Sequence, residues 1–292
     1  MTTVNDYCKA LFGEKVYKVS LSGGMTCPNR DGKCGDKGCI FCSAGGSGEF
    51  SADPQKSISQ QLFDAKKLVS KKYKGNKYIA YFGSFTNTYA DVSYLEKVFN
   101  EALEDAEVVA LSVATRPDCL GDDVLNLLDR LNKIKPVWVE LGLQTSKEST
   151  TQYIRRGYAN DIYRSAVKRL KEIGVHIVTH IILGLPRETK EDMLASVKFA
   201  LSAGTDGIKL QLLHVLENTD LAADYYSGKV TLLSQEEYIN ILISCLKIIP
   251  ENVVIHRITG DGPKKLLIAP EWSKDKKRVL NAITKAIKLA NL

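Results

Sequence analysis

The chain has 292 residues, 44% of them hydrophobic and 25% charged, an ordinary globular composition with length for one large domain or two small ones. No apolar run approaches the roughly 20 residues that cross a membrane, and the opening MTTVNDYCKALFGEK has no apolar core of signal-peptide length, so the expectation is a cytoplasmic chain with no membrane contact. The net charge is +6, and seven cysteines in such a chain argue for metal or redox chemistry, not a disulfide framework.

In chain order, a first β-rich run, VYKVSL (16–21), leads into a cysteine segment, CPNRDGKCGDKGCIFC (27–42). A helix is expected over 54–73, capped by Asp53 with Pro54 at its first position, with Ile58, Leu62, Ala65 and Leu68 or Val69 at helical spacing. Further strands follow at YIAYF (78–82), VVALSV (108–113), VWVELGL (137–143) and HIVTHIIL (176–183). Thr189 and Asp192 open a helix through Val197 and Leu201, GIKLQLL (207–213) is the next strand, and Ser234 with Glu237 forms a capping box. That helix carries Ile239, Leu242, Ile243 and Leu246 on one face and precedes VVIHRI (253–258).

Strand–helix alternation repeated about six times means a parallel α/β sheet. The strands are continuously apolar, as when both faces are covered. An open doubly wound sheet and a full or partial barrel both fit, and in both, ligands gather at the carboxyl ends of the strands. The pattern breaks near 215–233, which divides a core of 1–215 from an extension of 216–292. From Lys264 to Leu292, eight Lys or Arg stand against two acids, and a second basic cluster comprises Lys66, Lys67, Lys71, Lys72, Lys74 and Lys77. Such clusters either solvate helix faces or attract polyanions.

Four thiolates within 27–42 suit zinc or an iron–sulfur centre. A closed zinc site usually shows two Cys-x-x-Cys pairs, whereas only Cys39 and Cys42 form one here. The segment follows the first strand, where an α/β protein keeps its chemistry, and Gly32, Gly35 and Gly38 let the loop wrap closely around a group. Cys8, Cys119 and Cys245 read as small buried residues.

CPNRDG followed by GCIFC resembles the cluster loop of radical S-adenosylmethionine enzymes, in the subgroup called YtqA or YhcC. The resemblance continues through YFGSFTNTYA (81–90), ATRPDCL (114–120), VELGLQT (139–145), HIILGLPRE (180–188), KLQLLHVL (209–216) and HRITGD (256–261). It implies a partial (β/α)6-type TIM barrel with a basic C-terminal extension. It implies a [4Fe-4S] cluster on Cys27, Cys39 and Cys42, with Cys34 a bystander and one iron left for S-adenosylmethionine.

By the same resemblance, the loop at Ser84, Thr86 and Asn87 meets the methionine amino group, although the Gly-Gly-Glu form found in many relatives is missing. Arg116, beside Thr115 at the end of the third strand, is a cation suited to the cofactor carboxylate or to a substrate phosphate, and Arg156 resembles the arginine that relatives aim at the cofactor carboxylate. Glu140 and Gln144 bond the ribose or methionine, as in oxygen-independent coproporphyrinogen oxidase and the Elongator catalytic subunit. Ile182, Gly184 and Phe41 lie against adenine. His180, Lys209, Gln211 and His214, with His256 and Arg257, are candidate substrate contacts; alternation puts 209, 211 and 213 on one face, and a buried lysine at a strand end is seldom structural.

The resemblance further implies tRNA as substrate, with conversion of 5-carboxymethylaminomethyl-(2-thio)uridine to 5-aminomethyl-(2-thio)uridine at the wobble position and an external flavodoxin or ferredoxin as electron donor. The alternatives are a radical enzyme acting on a small metabolite or a protein, and a non-catalytic metal-containing module that binds RNA.

Overall fold

The computed structural model describes residues 1–46, 48, 50–71 and 73–292. The strands are β1 Tyr17–Leu21, β2 Tyr78–Phe82, β3 Val108–Thr115, β4 Val137–Gln144, β5 His176–Leu183, β6 Gly207–Leu212, β7 Val215–Leu216, β8 Val254–Arg257 and β9 Leu267–Ala269. Seven of them form one parallel sheet in the order β1-β2-β3-β4-β5-β6-β8, curled into a half-barrel. All seven runs expected from the sequence are its strands, and β8, from the C-terminal extension, closes the series beside β6. The short β7 and β9 pair separately as an antiparallel ladder.

The helices are α1 Val4–Phe12, α2 Ile58–Val69, α3 Val92–Glu104, α4 Asp122–Asn132, α5 Glu148–Tyr153, α6 Asn160–Glu172, α7 Lys190–Ala203, α8 Asp220–Tyr226, α9 Gln235–Ile248 and α10 Lys276–Leu289. The helix α2 begins four residues later than the sequence reading placed it. Ser57 caps it by accepting from Gln60 N, while Asp53 accepts from Gln55 N and closes a turn around Pro54 instead. The capping boxes at Thr189/Asp192 and Ser234/Glu237 are both formed. The segment 215–233, where the strand–helix pattern breaks, holds β7 and α8.

Side chains alternate across the sheet. One set, including Val19, Leu21, Phe82, Leu111, Val113, Val139, Leu141, Ile181 and Leu210, faces the helices and forms the main core. The other set faces the barrel interior. At its amino end, Ile79, Ala110 and the fully buried Trp138 pack with Cys8 of α1. The N-terminus also covers the outer edge of β8, with Ile255 N donating to Thr2 O at 2.8 Å.

Part of the charge clustering is neutralised within the fold. Lys66 pairs with Asp105 and Glu107, and Lys77 lies 3.4 Å from Glu14. Lys72, of the same cluster, lies outside the described residues. On the C-terminal segment, Lys264, Lys265, Lys277, Lys285 and Lys288 are exposed, whereas Lys274 and Lys276 are ion-paired to Glu271 and Asp261.

Candidate active site at the carboxyl end of the barrel

The carboxyl ends of the strands open into a cavity of about 510 Å³, within the usual range for ligand sites. One wall is the loop after β1. Cys27, Cys39 and Cys42 all line the cavity, whereas Cys34 is exposed and lines a separate groove on the loop's outer side. The loop is pinned from within. Cys42 N donates to Cys39 O at 3.0 Å, and Arg30 Nη2 donates to the carbonyls of Cys42 and Ser43. Asn29 Nδ2 reaches both Arg155 O and Cys39 Sγ. Gly38 has φ of +73°, and a Cβ there would come within 2.9 Å of Arg30 Nε, so the wrap requires glycine.

The donor set fits an iron–sulfur cluster. The Cys42 thiol, burial and the nearby Cys27 push the Cys39 thiol well above its ordinary value. Three thiolates side by side need positive charge between them, which a cationic iron core provides. Among the described residues, no three His, Cys, Asp or Glu side chains could hold a single metal ion as they stand. The three thiols share the lining of the cavity.

The rest of the lining is mixed. Phe41 and Ile182 are apolar; Thr86, Thr115, Arg116 and Gln144 are polar. Gln144 ends β4 with φ of +58°, an uncommon conformation for a non-glycine residue, and Tyr158 Oη bonds both Gly142 O and Gln144 Oε1. Arg116 makes a two-point ion pair with Asp118 and donates to Arg156 O, which uses three of its five N–H groups.

Several sequence expectations take a different place. All five N–H donors of Arg156 are engaged by Leu143 O, Thr145 O, Tyr158 O (twice) and Asn160 Oδ1, so this guanidinium ties the β4 end to the following loop and has no donor left for a ligand carboxylate. Asn87 Nδ2 donates to the carbonyls of Phe82, Ser84 and Ala114; it holds the β2 loop in shape and, like Ser84, does not line the cavity. Gly184 lies behind Ile182, with its N–H on Met193 Sδ. His256 is at the other end of the barrel, 3.1 Å from His176 and edge-on to Trp138. A register shift explains it: Ile208 pairs with Ile255 but Lys209 with Arg257, and the ring of His256 fills the space that Gly207 leaves.

The remaining substrate candidates, His180, Lys209, Gln211, His214 and Arg257, converge on the cavity floor. The residue they surround is Glu140, fully buried. Its carboxylate accepts from Lys18 Nζ at 2.6 Å, Ser112 Oγ at 2.8 Å, His180 Nε2 at 2.7 Å and Lys209 Nζ. Burial alone would raise its pKa, but Lys18, Lys209 and His180 hold it well below the ordinary carboxylate value. Burial drives Lys209 down to about 7 against the attraction of Glu140, with Lys18 and Arg257 acting in the same direction. Burial likewise keeps His180 and His214 neutral, each near 4.

Lys18, Tyr81, Ser112, Tyr158 and Arg30 were not singled out from the sequence. For Lys18 the signal was present: a lysine two residues into an apolar strand, on the parity that faces inward. The Tyr81 ring lies under both ammonium groups, 4.5 Å from Lys18 Nζ and 4.8 Å from Lys209 Nζ.

The model of the Radical SAM superfamily matches residues 27–200, and that of the Radical_SAM C-terminal domain matches 205–288. The chain is 44% identical to "Uncharacterized protein YtqA" of Bacillus subtilis (strain 168), covering 98% of this chain and 88% of that protein. It is 34% identical to "Protein YhcC" of Escherichia coli (strain K12), covering 91% and 85%. A 28% identity over 183 residues, 61% of this chain and 33% of the other, links it to a tRNA uridine(34) acetyltransferase of Methanocaldococcus jannaschii. Among solved structures, Elp3 of Methanocaldococcus infernus superposes with a TM-score of 0.73 at 18% identity, over 95% of this chain and 63% of that one.

Proposed function

Since the chain belongs to the radical SAM superfamily, and within it to the family of YtqA and YhcC, we propose that it modifies the wobble uridine of tRNA, converting the 5-carboxymethylaminomethyl group to 5-aminomethyl. Membership implies a [4Fe-4S] cluster and S-adenosylmethionine, which together supply a 5′-deoxyadenosyl radical when bound. Cys27, Cys39 and Cys42 are the proposed cluster ligands. Phe41 and Ile182 offer an apolar face for adenine, and Thr86, Arg116 and Gln144 offer polar contacts to the methionine and ribose. Ser84, Asn87 and Gly184 support that wall from outside the lining, and Arg156, which does line the cavity, is held in place by its five donor bonds. Glu140 acts on the floor through Lys209 and His180.

The observation that carries the tRNA reading is the position of the basic extension. Its 260–263 turn lines the cavity, and the exposed Lys264 and Lys265 follow directly at the rim, where backbone phosphates would pass. The partial relationship to a protein named for uridine 34 of tRNA supports the same substrate. The carbon between nitrogen and carboxylate in the side arm bears a weak C–H bond; removal of that hydrogen atom and one further electron, with S-adenosylmethionine as the net two-electron oxidant, would give an imine whose hydrolysis by water leaves the 5-aminomethyl group and releases the two-carbon unit as glyoxylate. Among the described residues no helix is long and apolar enough to cross a membrane, and we place the enzyme in the cytoplasm with an external flavodoxin or ferredoxin as electron donor.

Nucleoside analysis of tRNA from cells lacking the gene tests this reading. The 5-carboxymethylaminomethyl species should accumulate and the 5-aminomethyl species should fall. Unchanged levels of both would contradict it.

A further inference from the structure

The charges on the cavity floor do not balance. Lys18, Lys209 and Arg257 are cations, and Glu140 is the acid they surround. The neighbouring titratable side chains add no negative charge: burial holds Tyr81 well above its ordinary value, and His180 and His214 are neutral at pH 7. Asp261, farther out on the rim, is paired with Lys276. Arg116 has its own acid in Asp118. Arg257, by contrast, has no carboxylate within ion-pair distance among the described residues, yet it is near enough to Lys209 and His180 to lower both. One carboxylate thus serves both Lys18 and the buried Lys209, and the exposed Arg257 guanidinium lines the same cavity without a carboxylate partner, available to an anion brought by a ligand.

We propose that this floor is a receptor for a carboxylate carried by the substrate, seated between Lys209 and Arg257 beside Gln211. The ammonium of Lys209 makes one bond to Glu140 and has two further hydrogens to give. The fork of Arg257 matches a planar two-oxygen group. His180 donates from Nε2 to Glu140, which leaves Nδ1 as an acceptor 3.4 Å from Gln211 Nε2 and turns the Gln211 amide along the floor. Glu140 is then a positioning residue: its carboxylate accepts from Lys209, Lys18 and His180 and fixes them beneath the site.

The inference rests on the reading that substrate enters this cavity, and a carboxylate could reach the floor on a nucleoside side arm or as a free amino acid. Binding to the full-length protein separates the cases. Four probes are compared: an anticodon stem–loop bearing 5-carboxymethylaminomethyluridine, the same stem–loop with the acid converted to its amide, free N-methylglycine, and N-methylglycine amide. The acid should bind about tenfold more tightly than its amide, which is about 1.4 kcal/mol. That preference should fall below about threefold in Arg257→Gln, whose exposed site leaves the melting temperature unchanged.

Discrimination with the stem–loops supports both the receptor and the tRNA reading. Discrimination only with free N-methylglycine supports the receptor and contradicts the tRNA reading. Stem–loops that bind equally well as acid and amide, with no discrimination between free N-methylglycine and its amide either, overturn the receptor and leave the tRNA reading standing. Inorganic phosphate competing as strongly as N-methylglycine would also overturn it.

Discussion

At the amino end of the barrel, Ile79, Ala110 and Trp138 close the interior over Cys8. Two residues further along the same strands stand Tyr81, Ser112 and Glu140, which belong to the cavity floor. Both layers face inward by the same alternation, and both are almost free of solvent. The lower layer is held by apolar burial, whereas the upper layer is held by one carboxylate and the cations around it. Burying a paired charge where Val or Leu would serve is poor use of stability, so the upper layer is the part of the barrel shaped by function.

The strongest challenge to this contrast is acid. All four histidines, His176, His180, His214 and His256, have folded pKa values depressed by burial, three to about 4 and His256 well below its ordinary value. Between about pH 6.5 and 4 the unfolded chain therefore binds more protons than the folded one, so stability rises with pH and is lost on acidification. Glu188, raised by burial to about 7, contributes in the opposite sense over much of the same window. The four histidines outnumber the one opposing carboxylate, so the net effect across this window is a loss of stability on acidification. Urea unfolding across this range checks it, and a flat profile would mean the histidines are not buried neutral.

Trp138→Ala tests the lower layer alone. Removing a fully buried indole should cost about 3–5 kcal/mol, read as a drop in the denaturation midpoint. Iron content should survive in protein that remains folded. In the upper layer, Glu140→Gln should cost about 3 kcal/mol, because it leaves Lys209 buried without its counter-charge. Adding Lys209→Met should recover part of that loss, a non-additivity visible in a double-mutant cycle. Simple additivity would show that the floor is not one charged unit. Ser57→Ala, remote from both layers, should cost about 1 kcal/mol through loss of the α2 cap.

These layers also show what a sequence can carry. Strand positions were legible because seven continuous apolar runs alternate with amphipathic stretches, and the three cavity cysteines were legible because their spacing resembles a known cluster loop. The curl of the sheet is not in the strand pattern, which open and closed sheets share; the family resemblance implied a partial barrel, and the half-barrel bears it out. The placement of His256 was not legible: one irregular step between β6 and β8 sends it to the amino end, and parity counting assumes no such step. Arg156 was named for its chemistry, yet its five donors meet backbone and amide oxygens that no motif displays. Lys18 was overlooked because a lysine near a strand start usually points to water, and only the curl brings it to Glu140.

The central claim is that the carboxyl-end cavity holds a radical-generating cluster on three of its four nearby cysteines. Iron and 5′-deoxyadenosine, measured after anaerobic purification and dithionite reduction, test it most directly in the wild type and in single serine variants of Cys27, Cys34, Cys39 and Cys42. The account predicts about four irons per chain and cleavage in the wild type and Cys34→Ser, with both lost in the other three. Equal loss in all four variants, or stoichiometric zinc without cleavage, would contradict it.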